Sequence, residues 1–206
     1  MAGGGTSVAR LQKEITEVMS DVKSGVSVEI LNERDLTKLR GLVRGPQDTA
    51  YSGGTFMVDI QVSDQYPFEA PKMKFLTKVW HPNVSSASGA ICLDILKDMW
   101  SPALTLKTTL LSIQALLACP EPKDPQDAVV AKMYIEDRKG FEAKAREWTE
   151  AYAMGDDLSL GTYEDPKVTK LCDMGFDKKA VTQALNTVDG NENMALELLL
   201  AGAGGI

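Results

Sequence analysis

The octapeptide TFMVDIQV, residues 55–62, carries the side-chain alternation of a β-strand. Phe56, Val58, Ile60 and Val62 would lie on one face of the strand, and the residues between them on the other. Such alternation is typical of antiparallel sheets that bury one face and expose the other. The octapeptide therefore predicts an antiparallel sheet at the centre of the fold.

Three further strand patterns flank the octapeptide. Residues 26–31 and 36–45 precede it and are separated by a turn-rich tetrapeptide, and residues 72–76 follow it with a briefer alternation. Successive strands joined by short links favour an antiparallel meander. We therefore predict the α+β class, with a four-stranded meander flanked by an N-terminal helix and by C-terminal helices.

Apolar residues at three- and four-residue spacing predict the helices. The first helix would begin after a capping Thr6 or Ser7 and could cover one face of the sheet. A strongly apolar helix at residues 106–117 is predicted to be the central helix of the core. The next helix would begin at Asp124 as N-cap, with Pro125 in its first turn, and one more helix follows it.

A second, smaller domain is predicted after a break in the helical pattern. Three short helical patterns follow the break, with Asp177 and Asn191 as helix starts. Such a small domain has little core and commonly serves as a binding module. The predicted division is a flexible tail at 1–6, a main domain at 7–152, a linker at 153–162 and a three-helix domain at 163–202.

The composition excludes several classes of protein. The 206-residue chain has a net charge of −7 and a pI near 4.8, whereas a nucleic-acid-binding protein should carry a basic face. No apolar run approaches the roughly 18 to 20 residues of a membrane span, and the first residues lack an apolar segment of the signal-peptide type. We therefore expect a cytoplasmic or nuclear protein that binds neither nucleic acid nor membranes.

The three cysteines are too few and too widely spaced for a disulfide framework or a zinc site, so no metal is expected. Cys119 and Cys172 fall on apolar helical faces or at their ends, and we predict that both are small buried hydrophobes. Cys92 lies in an irregular stretch, residues 76–104, that is rich in turn-forming residues. Functional groups often lie in such loops, so Cys92 is the candidate nucleophile, with a buried structural role as the alternative.

His81 is the only histidine and hence the only candidate base for a Cys-His pair with Cys92. Its neighbour Pro82 removes a backbone donor and fixes a turn, so we predict that His81 orders a loop through hydrogen bonds of its ring. Acyl transfer through a thioester needs no imidazole, because a cysteine that receives an activated acyl group faces a good leaving group.

Thioester chemistry still needs a donor for the tetrahedral oxyanion and a means of deprotonating an incoming amine. Asn83 could supply the donor through its side-chain amide. Asp94 and Asp124 are candidates for activating the amine. Each has a structural alternative, because Asp94 could instead bond within the loop and Asp124 could cap a helix.

Five motifs follow one another along the main domain: YPFEAPKMKF (66–75), HPNV (81–84), GAICLDIL (89–96), WSPALT (100–105) and LLACPEPKDP (116–125). Their order and spacing closely resemble those of ubiquitin-conjugating enzymes, over about residues 7–152. Residues 163–200, with Met174, Gly175 and Phe176 between the first two helices, resemble a ubiquitin-associated (UBA) domain. The whole chain resembles the conjugating enzymes that carry such a domain at the C-terminus.

The resemblance implies the chemistry at Cys92, which matches the cysteine that receives ubiquitin as a thioester from the activating enzyme. Asn83 matches an asparagine assigned either to oxyanion stabilisation or to holding the active-site loop. Asp94 and Asp124 match acidic positions linked to lysine activation and to gating of the groove. No bound cofactor is implied, because the activating enzyme uses the ATP.

The resemblance also implies contacts of the main domain with two partners. Phe68, Pro102 and Ala103 match the two loops that bind ubiquitin ligases. The alternative for Phe68 is packing in the core. Arg10 and Lys13 match basic positions that meet the activating enzyme, and without the resemblance they would be a solvated helix face.

In the UBA domain, the resemblance implies a surface that binds ubiquitin. Met174, Gly175 and Phe176, and Leu198 and Leu199 in the last helix, match that surface, although the two leucines could equally be core. The expected protein is a monomer that transfers ubiquitin to lysines of substrates or of ubiquitin and builds polyubiquitin chains for proteasomal degradation.

Three other functions are considered. A non-catalytic adaptor that binds ubiquitin and ligases is disfavoured by the presence of Cys92. A conjugating enzyme for another ubiquitin-like modifier would have the same fold, and the C-terminal domain favours ubiquitin. A cysteine hydrolase with His81 as base conflicts with the position of His81 beside Pro82.

Overall fold

The computed structural model describes residues 4–21, 23–154, 166–188 and 191–203. The chain divides into two compact units, Met1–Gly161 and Thr162–Ile206, each with its own hydrophobic core. The boundaries drawn from the sequence at 152/153 and 162/163 stay predictions, because residues 155–165 lie outside the described residues. Within the described residues, no helix is long and apolar enough to cross a membrane.

A four-stranded antiparallel sheet lies in the first unit. Its strands are β1 (Val26–Ile30), β2 (Lys38–Arg44), β3 (Thr55–Gln61) and β4 (Lys72–Phe75). They pair in the order of the sequence, so the predicted meander is confirmed. On β3, Phe56, Val58 and Ile60 are each at most 1% exposed, as expected for the inner face that the octapeptide predicts.

The helices of the first unit within the described residues are α1 (Gly4–Ser20), α2 (Leu106–Ala118), α3 (Ala128–Glu136) and α4 (Arg138–Tyr152). α2 is the central helix, as predicted, because Leu106, Leu110, Ile113 and Leu117 are at most 2% exposed. α2 packs against β1 and β2, whereas α1 contacts β1 and α2. α1 therefore contacts the sheet at β1, as the sequence suggested, and α2 contacts it at both β1 and β2.

The predicted start of α1 is wrong. The helix begins at Gly4, so neither Thr6 nor Ser7 precedes it as N-cap, and residues 4–6 belong to the helix and not to a tail. Leu11, Ile15 and Val18 are at most 4% exposed, and their packing against the core stabilises the helix. The helix therefore continues through Thr6 and Ser7, although these residue types usually stand just before the first turn.

The predicted start of α3 is also wrong. α3 begins at Ala128 and not after Asp124, because Asp127 is its N-cap. Asp127 Oδ1 accepts the backbone N–H groups of Val129 and Val130, both at 3.2 Å. The true cap therefore lies three residues beyond the predicted one.

Three helices form the second unit within the described residues: α5 (Pro166–Asp173), α6 (Lys178–Thr187) and α7 (Glu192–Ala203). Their buried residues are Leu171, Val181, Ala184, Leu185, Ala195 and Leu199. Asp177 caps α6 by accepting the N–H of Ala180, and Asn191 caps α7 by accepting the N–H of Met194, each at 3.2 Å. Both predicted helix starts are confirmed.

Candidate active site

The segment that leads into Cys92 is held against β4. Phe75 N–H donates to Gly89 O at 2.8 Å, and Cys92 N–H donates to Asn83 O at 2.9 Å. Gly89 has a φ of 74°, and a Cβ at this position would lie 2.0 Å from Phe75 O. Only glycine fits there, so the approach of this segment to β4 fixes the backbone three residues before the cysteine.

His81 is fully buried and uses both ring nitrogens in hydrogen bonds. Nδ1 accepts the N–H of Asn83 at 3.0 Å, so the proton of the neutral ring lies on Nε2, which donates to Leu116 O at 2.9 Å. Burial lowers the pKa of His81 to about 4, against the opposing effect of the bond to Leu116. The ring therefore orders the loop, as the sequence suggested, and has no free nitrogen to take a proton from Cys92.

Asn83 holds the segment that carries Asp124. Its Nδ2 donates to Glu121 O and Asp124 O, both at 2.9 Å, and its Oδ1 accepts the N–H of Glu121 at 2.8 Å. Asn83 is only 1% exposed. Of the two roles considered for Asn83, this geometry favours holding the loop, because oxyanion binding would require one of these bonds to break.

The Cys92 thiol is half-buried and lies between a carboxylate and an ammonium group. Sγ is 3.5 Å from Asp124 Oδ2 and 3.3 Å from Lys97 Nζ. The sequence did not single out Lys97. It reaches the thiol because a 3₁₀ turn at Asp94–Leu96 reverses the chain, with Lys97 N–H bonded to Asp94 O at 2.9 Å.

The two acidic candidates occupy different positions. The carboxylate that contacts the Cys92 thiol is that of Asp124, which is exposed. The exposed side chain of Asp94 accepts the N–H of Ile95 at 2.7 Å, within the turn. Of the two, Asp124 is therefore the carboxylate that lies beside the thiol.

The candidate ligase-binding residues form an exposed apolar surface. Phe68 is 79% exposed, so the alternative of core packing is wrong, and Pro102 and Ala103 are exposed as well. Trp100 Nε1 donates to Pro67 O at 2.8 Å and so joins the two loops. A groove of about 550 Å³ lies between Phe68 and the turn after Cys92, and its lining includes Phe68, Met73, Ile91, Leu96, Lys97 and Trp100.

The two basic candidates on α1 differ from each other. Lys13 is exposed. Arg10 reaches the loop that carries Pro102 and Ala103. Its guanidinium donates to Pro102 O at 2.5 Å and to Leu104 O at 3.1 Å, and its Nε donates to Glu14 Oε1 at 2.8 Å. Without the resemblance, both residues would be predicted to be solvated side chains of α1. That prediction is correct for Lys13 and wrong for Arg10.

Glu14 is a buried carboxylate, 5% exposed, that joins three parts of the first unit. Besides Arg10, it accepts Tyr66 O–H at 2.6 Å and the N–H of Leu106, the first residue of α2, at 2.8 Å. Sequence reasoning missed Glu14, because its partners lie 52 and 92 residues away in the chain.

Only some of the candidate ubiquitin-binding residues of the second unit are exposed. Met174 is 55% exposed and Leu198 is 45% exposed, whereas Phe176 packs in part against the core of this unit. Gly175 has a φ of 95° at the end of α5, a conformation that favours glycine. Leu199 is 8% exposed and belongs to the core, so its surface role is wrong because α7 turns that leucine inward.

The remaining cysteines and possible metal ligands add no second site. All three cysteines are free. Cys119 is exposed, which corrects the expectation of burial, because it follows the last residue of α2. Cys172 is half-buried. In the part of the chain that the structure describes, no group of three or more His, Cys, Asp or Glu side chains could hold a metal ion.

The loop cysteine flanked by charged groups lies in a unit with an antiparallel meander and a central helix, and most of this unit matches a known family. The family model described as ubiquitin-conjugating enzyme matches residues 10–149, and this chain belongs to that family of transferases. The model described as UBA/TS-N domain matches residues 165–199. The chain thus combines a conjugating domain with a UBA domain, and this combination implies interaction with ubiquitin.

Two relatives match nearly the whole chain, and a solved E2 domain matches a large part of it. The chain is 53% identical over 192 residues to the ubiquitin-conjugating enzyme E2 27 of Arabidopsis thaliana, covering 93% of this chain and 96% of that protein. It is 47% identical over 198 residues to the human ubiquitin-conjugating enzyme E2 K, covering 95% and 98%. The solved E2 domain of a Toxoplasma gondii ubiquitin conjugating enzyme covers 71% of this chain and 98% of its own, with 54% identity and a TM-score of 0.68.

Proposed function

We propose that Cys92 accepts ubiquitin as a thioester from the activating enzyme and passes it to lysine amines of substrates or of another ubiquitin. Polyubiquitin chains built in this way would direct proteins to the proteasome. The observation that carries the proposal is the environment of the thiol, half-buried between Asp124 and Lys97, while the only histidine is engaged elsewhere. This environment suits a cysteine that receives activated acyl groups and argues against a cysteine hydrolase with His81 as its base.

The proposed reaction has two steps. In loading, the Cys92 thiolate attacks the thioester carbonyl carbon of the activated ubiquitin, and the thiolate of the activating enzyme leaves. In transfer, a lysine amine attacks the new thioester, the C–N bond forms, the C–S bond breaks and the Cys92 thiolate leaves. The amine must lose a proton, and the Asp124 carboxylate, 3.5 Å from Sγ, can accept it or orient the amine. No cofactor is needed at this site, because ATP is consumed when the activating enzyme forms its own thioester.

The contacts with partners are part of the proposal. Phe68, with Pro102 and Ala103, supplies the exposed apolar contacts for ubiquitin ligases. Lys13 contacts the activating enzyme, while Arg10 holds the ligase-binding loop in place. The protein acts as a monomer.

The UBA domain binds ubiquitin through an exposed surface at Met174 and Leu198, with Gly175 setting the turn. Leu199 stabilises the domain from within. We also propose a cytoplasmic or nuclear location, which three free cysteines suit because reducing compartments keep thiols free.

A loading assay tests the proposal. The protein is mixed with ubiquitin, its activating enzyme and ATP, and then run on denaturing gels with and without thiol. We expect an adduct that thiol removes in the wild type and an adduct that resists thiol in Cys92→Ser. Cys119→Ser is the matched control, because Cys119 is a free, exposed cysteine outside the irregular stretch of residues 76–104 that carries Cys92, and it should load like the wild type. A folded wild-type chain that gives no adduct would contradict the proposal, and other ubiquitin-like modifiers would be tested next.

A further inference from the structure

Two segments of the chain approach each other beside the Cys92 thiol. The loop at residues 85–91 leads directly into Cys92, and the segment at residues 121–127 carries Asp124, whose carboxylate lies 3.5 Å from Sγ. A side-chain contact between these two segments therefore bears on the distance between the thiol and the carboxylate.

Ser86 and Asp127 make such a contact. Asp127 Oδ2 accepts the backbone N–H of Ser86 at 3.2 Å and its Oγ–H at 2.6 Å. The other oxygen, Oδ1, accepts the N–H groups of Val129 and Val130 at the start of α3. The two oxygens of Asp127 thus accept four donors, which an asparagine could not do because its amide nitrogen is itself a donor. The two bonds from Ser86 are called the Ser86–Asp127 clamp.

The clamp holds a charged carboxylate. Burial alone would raise the pKa of Asp127, but the bonds from Ser86 and from the backbone N–H groups outweigh it and keep that pKa below its ordinary value of 3.8. Asp127 is therefore ionised at neutral pH. Hydrogen bonds to a carboxylate are shorter and stronger than bonds between neutral groups, in keeping with the 2.6 Å separation.

The clamp goes beyond what α3 requires. Capping the helix uses only Oδ1 of Asp127, so the bonds from Ser86 to Oδ2 are additional to the cap. Asp127 lies three residues after Asp124, and the intervening Pro125 has a fixed φ that restricts independent movement of the two. A displacement of Asp127 is therefore passed on to Asp124.

We propose that Ser86 and Asp127 are positioning residues for the transfer step, because they hold the Asp124 carboxylate at its distance from Cys92. This inference rests on the proposed thioester at Cys92 and deepens it. Loading involves a good leaving group and no proton removal from an amine, whereas transfer requires the amine to lose a proton near Asp124. Misplacement of a reacting group by about 1 Å can cost on the order of a hundredfold in rate. Loss of the clamp therefore slows transfer and leaves loading unchanged.

The test is a single-turnover assay on the full-length chain. Each protein is first loaded with ubiquitin, the activating enzyme is then stopped, and free lysine is added to discharge the thioester. Ser86→Ala removes the 2.6 Å bond without touching the α3 cap, and Asp127→Ser keeps a capping side chain that is too short to reach Ser86. We expect loading rates within about twofold of the wild type and limiting discharge rates about three- to tenfold lower, equivalent to the loss of one hydrogen bond.

Three comparisons separate positioning from a general effect on the loop. Ser86→Thr keeps the hydroxyl and should restore discharge. Ser88→Ala alters an exposed serine of the same loop, whose Oγ accepts only a 3.4 Å contact from Ala90 N–H within the described residues, and should discharge like the wild type. The double variant of Ser86→Ala and Asp127→Ser should be no slower than Asp127→Ser alone, because Asp127→Ser already removes the hydroxyl bond that Ser86→Ala removes.

The outcomes are distinguishable. A wild type that does not load overturns the proposed thioester and this inference with it. A wild type that loads and discharges, with Ser86→Ala discharging equally fast, overturns this inference alone. Equal losses of loading and discharge in Ser86→Ala, or an equal loss in Ser88→Ala, also overturn it, because the contact would then be structural. Because Ser86→Ala leaves the α3 cap in place, it decides the matter even if Asp127→Ser fails to fold.

Discussion

The buried, neutral state of His81 predicts a loss of stability in mild acid. The unfolded chain binds a proton on this histidine with an ordinary pKa of 6.5, whereas in the folded protein burial lowers the pKa to about 4. The unfolded state therefore binds more protons below pH 6.5, and the free energy of unfolding decreases as the pH falls. The stability is complete above the unfolded pKa, and the loss levels off near the folded pKa.

The magnitude follows from the two pKa values. Each unit of pKa difference corresponds to about 1.4 kcal/mol, so a shift from 6.5 to about 4 amounts to about 3 kcal/mol in all. About 2 kcal/mol of this loss falls between about pH 7 and pH 5. His81 is the only histidine, and carboxyl groups with lowered pKa values, such as those of Asp35 and Asp127, titrate at lower pH. The change in unfolding free energy between pH 7 and pH 5 is therefore assigned to the titration of His81.

The assay is urea unfolding at a series of pH values, followed by tryptophan fluorescence. The three tryptophans are Trp80, Trp100 and Trp148, so the signal reports only the first unit. His81→Asn is the reference variant, because asparagine can still accept the N–H of Asn83 but does not titrate. We expect it to be less stable at pH 7 and to lack the extra loss between pH 7 and pH 5. Equal pH dependence of the two proteins in that interval would refute a buried, neutral His81.

Three further predictions concern single residues. Glu14→Gln should lower the free energy of unfolding by about 3 kcal/mol, because Glu14 is a buried carboxylate that accepts bonds from Arg10, Tyr66 and the N–H of Leu106. Glu17→Gln should cost less than about 0.5 kcal/mol, because Glu17 is exposed on the same helix. Equal costs of the two substitutions in urea titrations would contradict this role of Glu14. Gly175→Ala should destabilise the second unit by about 1 kcal/mol through its φ of 95° alone, since no atom lies within 4 Å of the added Cβ. Circular dichroism should show this loss of stability, and tryptophan fluorescence should not. Phe68→Ala should alter stability by less than about 0.5 kcal/mol, because the ring is 79% exposed, yet slow ligase-stimulated discharge about tenfold or more; unchanged stimulation would argue against Phe68 as a ligase contact.

The sheet and the central helix could be predicted from the sequence because their signals are local. Alternation along residues 55–62 depends only on neighbouring side chains, and the apolar spacing of α2 does too. The start of α3 could not be predicted in this way, since the acidic stretch offers both Asp124 and Asp127 as caps. Asp127 also binds Ser86, a contact that no local pattern reveals.

The candidate site could be predicted in part for the same reason. Cys92 and His81 could be singled out from the irregular stretch that contains them, and Asp124 from its acidic side chain. The position of Lys97 depends on a turn of three residues, and that of Glu14 on partners far away in the chain, so neither was found.

The contact between Arg10 and the carbonyls of Pro102 and Leu104 affects how genetic variation in this protein should be interpreted. A substitution at Arg10 changes the surface of α1 and also removes the bonds that hold a loop more than ninety residues later. Defects in two separate partner assays can then share one cause inside a single molecule. A substitution at Lys13, whose side chain is exposed, tests the surface of α1 alone.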